Sequence, residues 1–322
     1  MASVKPESLS QPAHTRRQLR AQQFALTRRR FKETWQVLRH NRLALVGVIL
    51  IVLFAIMAVL HPILMATVWP RSIYSPDVGF DLNLLHPALP GEGHILGTDA
   101  LGRDVLSLLL AAATPTFIVG ITAAVTAVVI GAAMGAVSAY YRGAIDAAFT
   151  RLSDVALLLP APLFMVIVGF RFREVMGPVQ FGLIYGLLSG VSSVAIVMRA
   201  YALTVMARPF VAASKVAGAG ARHIILKDLL PHMLPLATLY MMLTVVGAVV
   251  SDAFVSFFGV SRPHENWGTM IYSAFALSNA LASGVQWHVL IPPALALSLF
   301  AAAFYLVARG VHEVADPRLR RL

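Results

Sequence analysis

Histidines and carboxylates are the side chains of this 322-residue sequence that could bind a catalytic metal, and zinc proteases arrange them as H-E-x-x-H. Two His-Glu pairs occur, beginning at His264 and at His312. In each pair the second histidine is missing, because Gly268 and Asp316 stand at those positions. The remaining histidines are scattered, and we predict no metal site.

Nucleophilic and nucleotide-hydrolysing motifs are also missing from the sequence. Gly190 and Ser192 are followed by Val194, which breaks the G-x-S-x-G elbow that exposes a catalytic serine. No G-x-x-x-x-G-K-[ST] loop is found, and the absence of cysteine excludes thiolate catalysis and iron–sulfur clusters. We therefore predict that the chain is not an enzyme and carries no cofactor of its own.

One polar segment combines glycines with paired acidic and basic side chains. Its members are Gly97, Thr98, Asp99, Gly102, Arg103 and Asp104. They could contact a partner protein or order a local turn, and we favour the second role.

Asp252 is an acidic residue inside an otherwise apolar stretch. Acids within a membrane face a cavity or a partner, because exposure to lipid is costly. Asp252 could line a transport path or form a structural hydrogen bond, and the sequence does not decide between these two roles.

The elements that must position these residues are membrane helices. The chain is 58% hydrophobic and only 13% charged, with a mean hydropathy of +0.75, which is far from a water-soluble composition. Six apolar windows predict an all-α integral membrane protein with six transmembrane helices. They are Leu43–Leu60, Thr116–Tyr140, Val155–Phe170, Phe181–Met198, Leu234–Phe258 and His288–Ala308.

Positive charge predicts the orientation of these helices. Most of the 26 lysines and arginines fall on one face, and the exceptions are Arg71, Arg103, Arg171, Arg173 and Arg262. Basic loops stay in the cytoplasm, so both termini are predicted to be cytoplasmic in a multi-pass membrane protein. The expected division is a basic tail at 1–42, a first helix and its exit at 43–68, an extracytoplasmic loop at 69–112 and a transmembrane domain at 113–322.

The basic tail has two possible partners. Arginines between Arg16 and Arg30, with Phe24 and Trp35 nearby, could bind nucleic acid. Attraction to anionic lipid, worth about 1 kcal/mol per basic residue, explains the charge sufficiently. We therefore predict membrane lipid and no nucleic acid as its partner.

A long cytoplasmic connection is predicted at 199–231 and is rich in small residues. After Gly220, the apolar pattern of Ala221 to Leu230 predicts a short amphipathic helix that Pro231 ends, and a glycine between two short helices permits a sharp turn. Such a pair could insert into a groove of a partner or lie on the lipid surface. The residues expected to act here are Ala212, Ala213, Ser214, Lys215, Gly218, Arg222, Ile224, Ile225, Leu229 and Pro231.

This connection resembles the EAA loop of ABC importer permeases, with consensus E-A-A-x-x-x-G followed by a hydrophobic stretch and L-P. Gly218 and Pro231 match, whereas Ala212 stands where the family usually has glutamate and Ser214 replaces the second alanine. The resemblance implies that the loop docks on an ATPase subunit. Lys215 and Arg222 could then face acidic groups of that subunit in place of the missing glutamate.

Further segments are similar to the C-type permease of the dipeptide, oligopeptide and nickel importers. The longest is H-I-L-G-T-D-A-L-G-R-D at 94–104, similar to H-x-L-G-T-D-x-x-G-R-D. Shorter similarities are N-R-L-A-L-V-G at 41–47, S-F-F-G at 256–259, N-W-G at 266–268 and D-P-R-L-R at 316–320.

The resemblance implies a complex in a prokaryotic inner membrane, in which this chain is one half of the path. Its partners would be a second, B-type permease, two ATPase subunits that hold ATP and Mg²⁺, and an extracytoplasmic binding protein. The cargo would be di- or oligopeptides or a related small solute such as a nickel chelate. A secondary transporter without an ATPase subunit is the alternative function, and it would not need a docking loop.

Overall fold

A computed structural model describes residues 41–91, 93–172, 174–260, 265–280 and 286–315. The regular elements of these ranges are helices, and an isolated bridge pairs Thr98 with Asp104. The helices are α1 (Arg42–Thr67), α2 (Arg71–Tyr74), α3 (Val105–Ala111), α4 (Ala113–Tyr141), α5 (Gly143–Leu157), α6 (Ala161–Phe172), α7 (Pro178–Ser189), α8 (Ala195–Met206), α9 (Pro209–Val216), α10 (Ala221–His223), α11 (Leu230–Phe257), α12 (Trp267–Ala280) and α13 (Trp287–Ala315). Two π-helical segments, Gly190–Val194 and Ile224–Leu229, join α7 to α8 and α10 to α11. The tail at 1–40 and the closing D-P-R-L-R lie outside the described residues.

The helices give up to six membrane crossings, which confirms the all-helical, multi-span prediction. Five are long and apolar enough alone, namely 42–67, 105–141, 178–206, 221–257 and 287–311. The sixth is α5 followed by α6, with a bend of 78° between them.

The predicted third window at 155–170 is wrong as a single helix. It crosses the break between α5 and α6, and α5 already begins at Gly143. Pro160 explains the break, because its ring removes a backbone donor and disfavours helical geometry at Leu159.

Two other boundaries also differ from the prediction. The loop assigned to 69–112 ends at residue 104, since α3 already belongs to the second span. The loop assigned to 199–231 begins after Met206, because Arg199 is accommodated inside α8 by an ion pair with Asp146. We call residues 69–104 the motif loop and residues 207–220 the small-residue loop.

Pro231 does not end a helix, contrary to the prediction. The span from Ala221 to Phe257 continues through it. Pro231 stands in the first turn of α11, directly after a turn of π geometry, in which the regular i→i−4 hydrogen-bond pattern that a proline would break is already interrupted.

Small residues bring the central helices into close contact. A side chain at Gly182 or Gly186 of α7 would meet the carbonyl oxygens of Val119 and Ala123 on α4 within 3 Å. Gly135 of α4 meets the backbone of α8 at Arg199. These glycines therefore pack the bundle within this chain, as small residues do in lipid.

A second core joins α1, α12 and α13. The rings of Phe54, Trp267 and Phe300 lie 5.3 to 5.5 Å apart, centroid to centroid. The opposite side of α1 exposes large aliphatic residues from Leu43 to Ile63, as expected for a helix whose solvent is lipid.

Candidate functional site

The small-residue loop is a short helix closed by a glycine turn. Gly218 has a φ of 82° and follows α9 as its left-handed residue. The N–H of Ala219 donates to Ser214 O at 3.0 Å, and the N–H of Gly218 donates to Lys215 O at 3.0 Å. This is the Schellman pattern, which requires positive φ and therefore favours glycine.

The outer surface of α9 is formed by small and apolar side chains. Ala212, Ala213 and Ala217 are exposed, and the Val216 side chain is 91% exposed. Only Val211 of α9 is buried, and it anchors the helix to the bundle. Sequence reasoning missed Val216; the available signal was a valine two residues before the turn glycine Gly218, in a segment of small residues.

The second half of the predicted docking segment divides into two groups. Ile224 and Leu229 are fully buried against residues of α8 and α11, so their side chains are not available to a partner. Arg222 and Pro231 are exposed, and Ile225 is half-buried. The predicted apolar stripe therefore attaches the loop to the bundle.

Two ring contacts fix the loop to its neighbours. The Phe210 ring stacks on His232 with centroids 4.7 Å apart. Lys215 Nζ lies 6.0 Å from the centre of the Tyr140 ring on α4, and Lys215 is exposed. Lys215 thus faces both the end of α4 and solvent.

In the motif loop, Asp99 and Arg103 bond to each other and to the backbone. The Asp99 carboxylate, 1% exposed, accepts hydrogen bonds from the N–H groups of Leu101 and Arg103 at 2.9 Å. It also accepts from Arg103 Nε and Nη2 at 2.9 and 2.7 Å. Arg103 Nη1 donates to Glu265 Oε1 at 2.9 Å, which ties the loop to the chain before α12.

Charge around Arg103 strengthens this arrangement. Burial alone would lower the pKa of Arg103, but the neighbouring carboxylates of Asp99 and Glu265 outweigh burial and raise the pKa above its usual value. The guanidinium therefore stays charged and uses its fork of donors on two carboxylates.

The other motif residues bond within the loop and to the first turn of α3. Asp104 caps α3 by accepting from the Ser107 N–H at 2.6 Å, and its second oxygen accepts from His94 Nδ1 at 2.7 Å. Thr98 is buried, and its hydroxyl oxygen accepts from the Ala88 N–H at 2.7 Å. These contacts support a structural role for the motif.

The two motif glycines have positive φ and no room for a side chain. Gly97 lies against the carbonyl of Ala88, and Gly102 lies against the Phe80 ring. A Cβ at either position would come within 2.4 Å of its neighbour, so the turn needs glycine twice.

Asp252 is buried near the end of α11, at 2% exposure. Asn266 Nδ2 donates to its carboxylate at 2.6 Å and to the hydroxyl of Ser256 at 2.9 Å. Of the two roles left open by the sequence, this geometry favours the structural hydrogen bond.

The described ranges contain no group of three or more His, Asp and Glu side chains that could hold a metal ion. They do contain a polar contact that sequence reasoning missed. Arg199 of α8 and Ser138 of α4 both donate to Asp146 of α5. The available signal was the presence of charged residues beside apolar windows, where charge is rare.

Comparison with known proteins gives two family matches. Residues 127–321 match the binding-protein-dependent transport system inner membrane component, and residues 29–87 match the N-terminal TM domain of oligopeptide transport permease C. The two matches together cover both ends of the described bundle.

Several curated relatives are similar over most of their length. The dipeptide transport system permease protein DppC of Bacillus subtilis (strain 168) is 31% identical over 293 residues, which is 90% of this chain and 86% of the relative. The di/tripeptide transport system permease protein DppC of Pseudomonas aeruginosa (strain UCBPP-PA14) is 30% identical, over 90% of this chain and 92% of the relative. The oligopeptide transport system permease protein OppC of B. subtilis is 28% identical, over 90% of each chain.

Proposed function

The chain belongs to the family of binding-protein-dependent transport system inner membrane components, and from that membership we propose how it acts as the permease subunit of an ABC peptide importer. The relatives named above transport dipeptides, di- and tripeptides or oligopeptides, so we narrow the cargo to peptides and leave nickel chelates out. The multi-span helical bundle is what such a subunit needs.

The small-residue loop is proposed as the surface that docks on an ATPase subunit. The observation that carries this proposal is the exposure of Val216 at the tip of a rigid helix and glycine turn. Apolar side chains at the centre of an interface supply much of its binding energy. Exposed Ala212, Ala213 and Ala217 around the tip allow another backbone to approach closely.

The buried residues between Ala221 and Pro231 connect the proposed docking surface to the helix bundle. Ile224 and Leu229 hold the π-helical turn against α8 and α11, and the span from Ala221 continues without interruption to Phe257. A displacement of the tip would therefore move the base of α11 rather than only the loop. Arg222 is exposed and could pair with an acidic group of the ATPase.

The remaining assignments complete the proposed complex. ATP and Mg²⁺ would bind to two ATPase subunits, and a second, B-type permease would form the other half of the path. The binding protein would deliver peptides to the end of the bundle that carries the motif loop. Both termini and the small-residue loop would then be cytoplasmic in an inner membrane, with ATP on the same side.

Affinity purification of this chain from its native membranes in mild detergent tests the proposal. Mass spectrometry of the co-eluting proteins is expected to find two ATPase subunits and a second permease. Recovery of the chain alone, under conditions that keep a control importer intact, would instead support a transporter that works without an ATPase.

A further inference from the structure

Helix α5 is joined to the bundle by a polar contact that we call the Asp146 clip. Its residues are Asp146 of α5, Arg199 of α8 and Ser138 of α4. Arg199 donates from Nη2 to Asp146 Oδ2 at 2.6 Å and from Nε to Oδ1, and the Ser138 hydroxyl also donates to Oδ1. Three helices therefore meet at one carboxylate.

Apart from the clip, α5 packs with its polar side inward. Thr150 and Ser153 of α5 line a cavity of about 60 Å³, together with Arg199. The Thr150 hydroxyl oxygen is buried and has no hydrogen-bond partner within the described residues. Leu152 and Val155, in contrast, are 50% and 62% exposed. The lining of the cavity is mixed, and its volume is large enough for water, which can solvate the polar groups of Thr150, Ser153 and Arg199 when the helices separate.

The backbone changes direction at both ends of α5. At its beginning Arg142 has a φ of 51° and Gly143 a φ of 56°, and a non-glycine residue in this region stores strain. At its other end the chain bends by 78° into α6. A helix between two such points can rotate as a unit.

The neighbouring contact between α4 and α7 has the opposite character. Gly182 and Gly186 place backbone against backbone there, so separation would expose a close-packed surface. Movement of α5 costs less, because it breaks one ion pair and a few polar contacts that water replaces. The bundle can therefore open at α5 while α4 and α7 stay together.

The clip is also linked to the small-residue loop. Arg199 is on α8, which ends at Met206 where that loop begins. On the other side, Lys215 of the loop lies over the Tyr140 ring, close to Ser138 on α4. A displacement of the loop therefore acts on two of the three helices that form the clip.

We propose that the Asp146 clip is closed in one state of the transport cycle and breaks in the other, so that α5 opens and closes the end of the bundle that carries the small-residue loop. This inference rests on the proposed function as an ATP-driven permease. Asp146, Arg199 and Ser138 are then positioning residues, which couple loop displacement to access without touching the peptide.

Cysteine cross-linking across the cavity tests the proposal, since the natural chain has no cysteine. Thr150→Cys on α5 and Ile196→Cys on α8 place two thiols on the lining of one cavity. The complete complex in liposomes is treated with a short bis-methanethiosulfonate linker, in the absence of nucleotide and after trapping with ATP and vanadate. Each single-cysteine variant, treated in the same way, is the control.

The expected cross-linking yield differs at least fivefold between the two conditions, and the linked complex loses at least tenfold in peptide uptake until dithiothreitol restores it. Equal yields in the two conditions, peptide uptake that the link does not affect, or no link in either condition would overturn the proposed opening of the clip. Failure of the proposed function is distinguishable, because the purified complex would then lack ATPase subunits or take up peptide without ATP.

Charge exchange supplies a second readout. Asp146→Arg and Arg199→Asp are each expected to reduce peptide uptake per ATP hydrolysed at least tenfold while ATPase subunits still co-purify. The double variant is expected to recover part of that ratio. A merely structural pair would lower uptake and hydrolysis in proportion, which would contradict the coupling role.

Discussion

The motif loop and the small-residue loop differ in where their side chains lie. In the motif loop, Asp99 and Asp104 are buried, and their carboxylates accept hydrogen bonds from donors of the loop and of the first turn of α3. In the small-residue loop, backbone bonds close the turn and the side chains around Val216 face outward. The charged side chains of the motif loop are therefore used within the fold, whereas the alanine and valine side chains of the small-residue loop are exposed.

This difference predicts which substitutions change the stability of the protein and which change its binding to a partner. Loss of a buried, hydrogen-bonded charge removes stability, because its partner is left unpaired in a low-dielectric site. Loss of an exposed apolar side chain leaves stability nearly unchanged and weakens only the contact that it makes in a complex. The following predictions test the comparison from the largest expected effect to the smallest.

The largest effect is expected at Arg103. Arg103→Ala leaves the Asp99 carboxylate buried without its strongest donor, at a cost of about 3–5 kcal/mol. We expect a loss of folded protein in the membrane and a lower unfolding temperature in detergent, measured by fluorescence-detected size exclusion during heating. Arg103→Lys, which keeps the charge but not the fork, should lie between the variant and the wild type. A wild-type unfolding temperature for Arg103→Ala would show that the motif loop does not stabilise the fold.

Gly218 should show the complementary behaviour. Gly218→Leu strains the turn by about 1–2 kcal/mol, since its φ is 82°, but the site is open and the bundle does not depend on it. The protein should remain in the membrane, while ATPase association falls and transport is lost. Co-purification and uptake assays measure both.

Gly220 is the matched control for this change. It is also exposed with open space around it, but it has an extended conformation that any residue can adopt. Gly220→Ala should therefore keep association near the wild-type level. Normal association and transport in Gly218→Leu would contradict the docking role of the turn.

A substitution at Val216 is expected to weaken ATPase binding without affecting folding, and its effect is smaller than that of Gly218→Leu. Val216→Ser removes the apolar tip and is expected to weaken ATPase binding about tenfold, with a stability change within about 0.5 kcal/mol. Leu82→Ser in the motif loop removes a side chain of similar exposure at the opposite end of the bundle. If both variants weakened ATPase binding equally, the assignment of the two loops to different tasks would fail.

The smallest expected effect is the acid sensitivity of the motif loop at Asp81. Its pKa lies below the usual value because the Asn83 N–H and side-chain amide donate to the carboxylate and His94 stands beside it. A lowered pKa means that the stabilisation is complete above about pH 3.8 and is lost as the pH falls through the lower folded value. Hydrogen exchange around Asn83, corrected for intrinsic rates, should rise only below that pH.

Asp81→Asn is the control for this titration. It should remove the acid-dependent rise while leaving exchange near neutral pH similar to the wild type. A rise that begins between pH 5 and 7 would contradict the assignment of the acid sensitivity to Asp81.

Much of the fold could be predicted because apolar length decides which segments cross the membrane. The windows for α1, α4 and α11 lie within the observed helices or close to their ends. The bend before α6 could not be placed by hydropathy alone, although Pro160 marked it. Pro231 was misleading, because the same residue that stops a helix interior is tolerated in the first turn after a π segment.

Only part of the candidate sites could be predicted from the sequence, for a different reason. Spacing indicates which residues share a helix face but not what that face packs against. The apolar stripe at Ile224 and Leu229 therefore looked available to a partner, whereas it is buried in the bundle. The contact of Asp146 with Arg199 joins residues far apart in sequence, and no local pattern indicates such pairs.

Photo-cross-linking from Val216 tests the central claim most directly. A benzoylphenylalanine at this position, illuminated in native membranes that contain the whole complex, is expected to capture an ATPase subunit, whereas the same group at Leu82 should capture none. Capture of the ATPase from Leu82, or of lipid alone from Val216 while the ATPase subunits are present, would contradict the docking role of the small-residue loop.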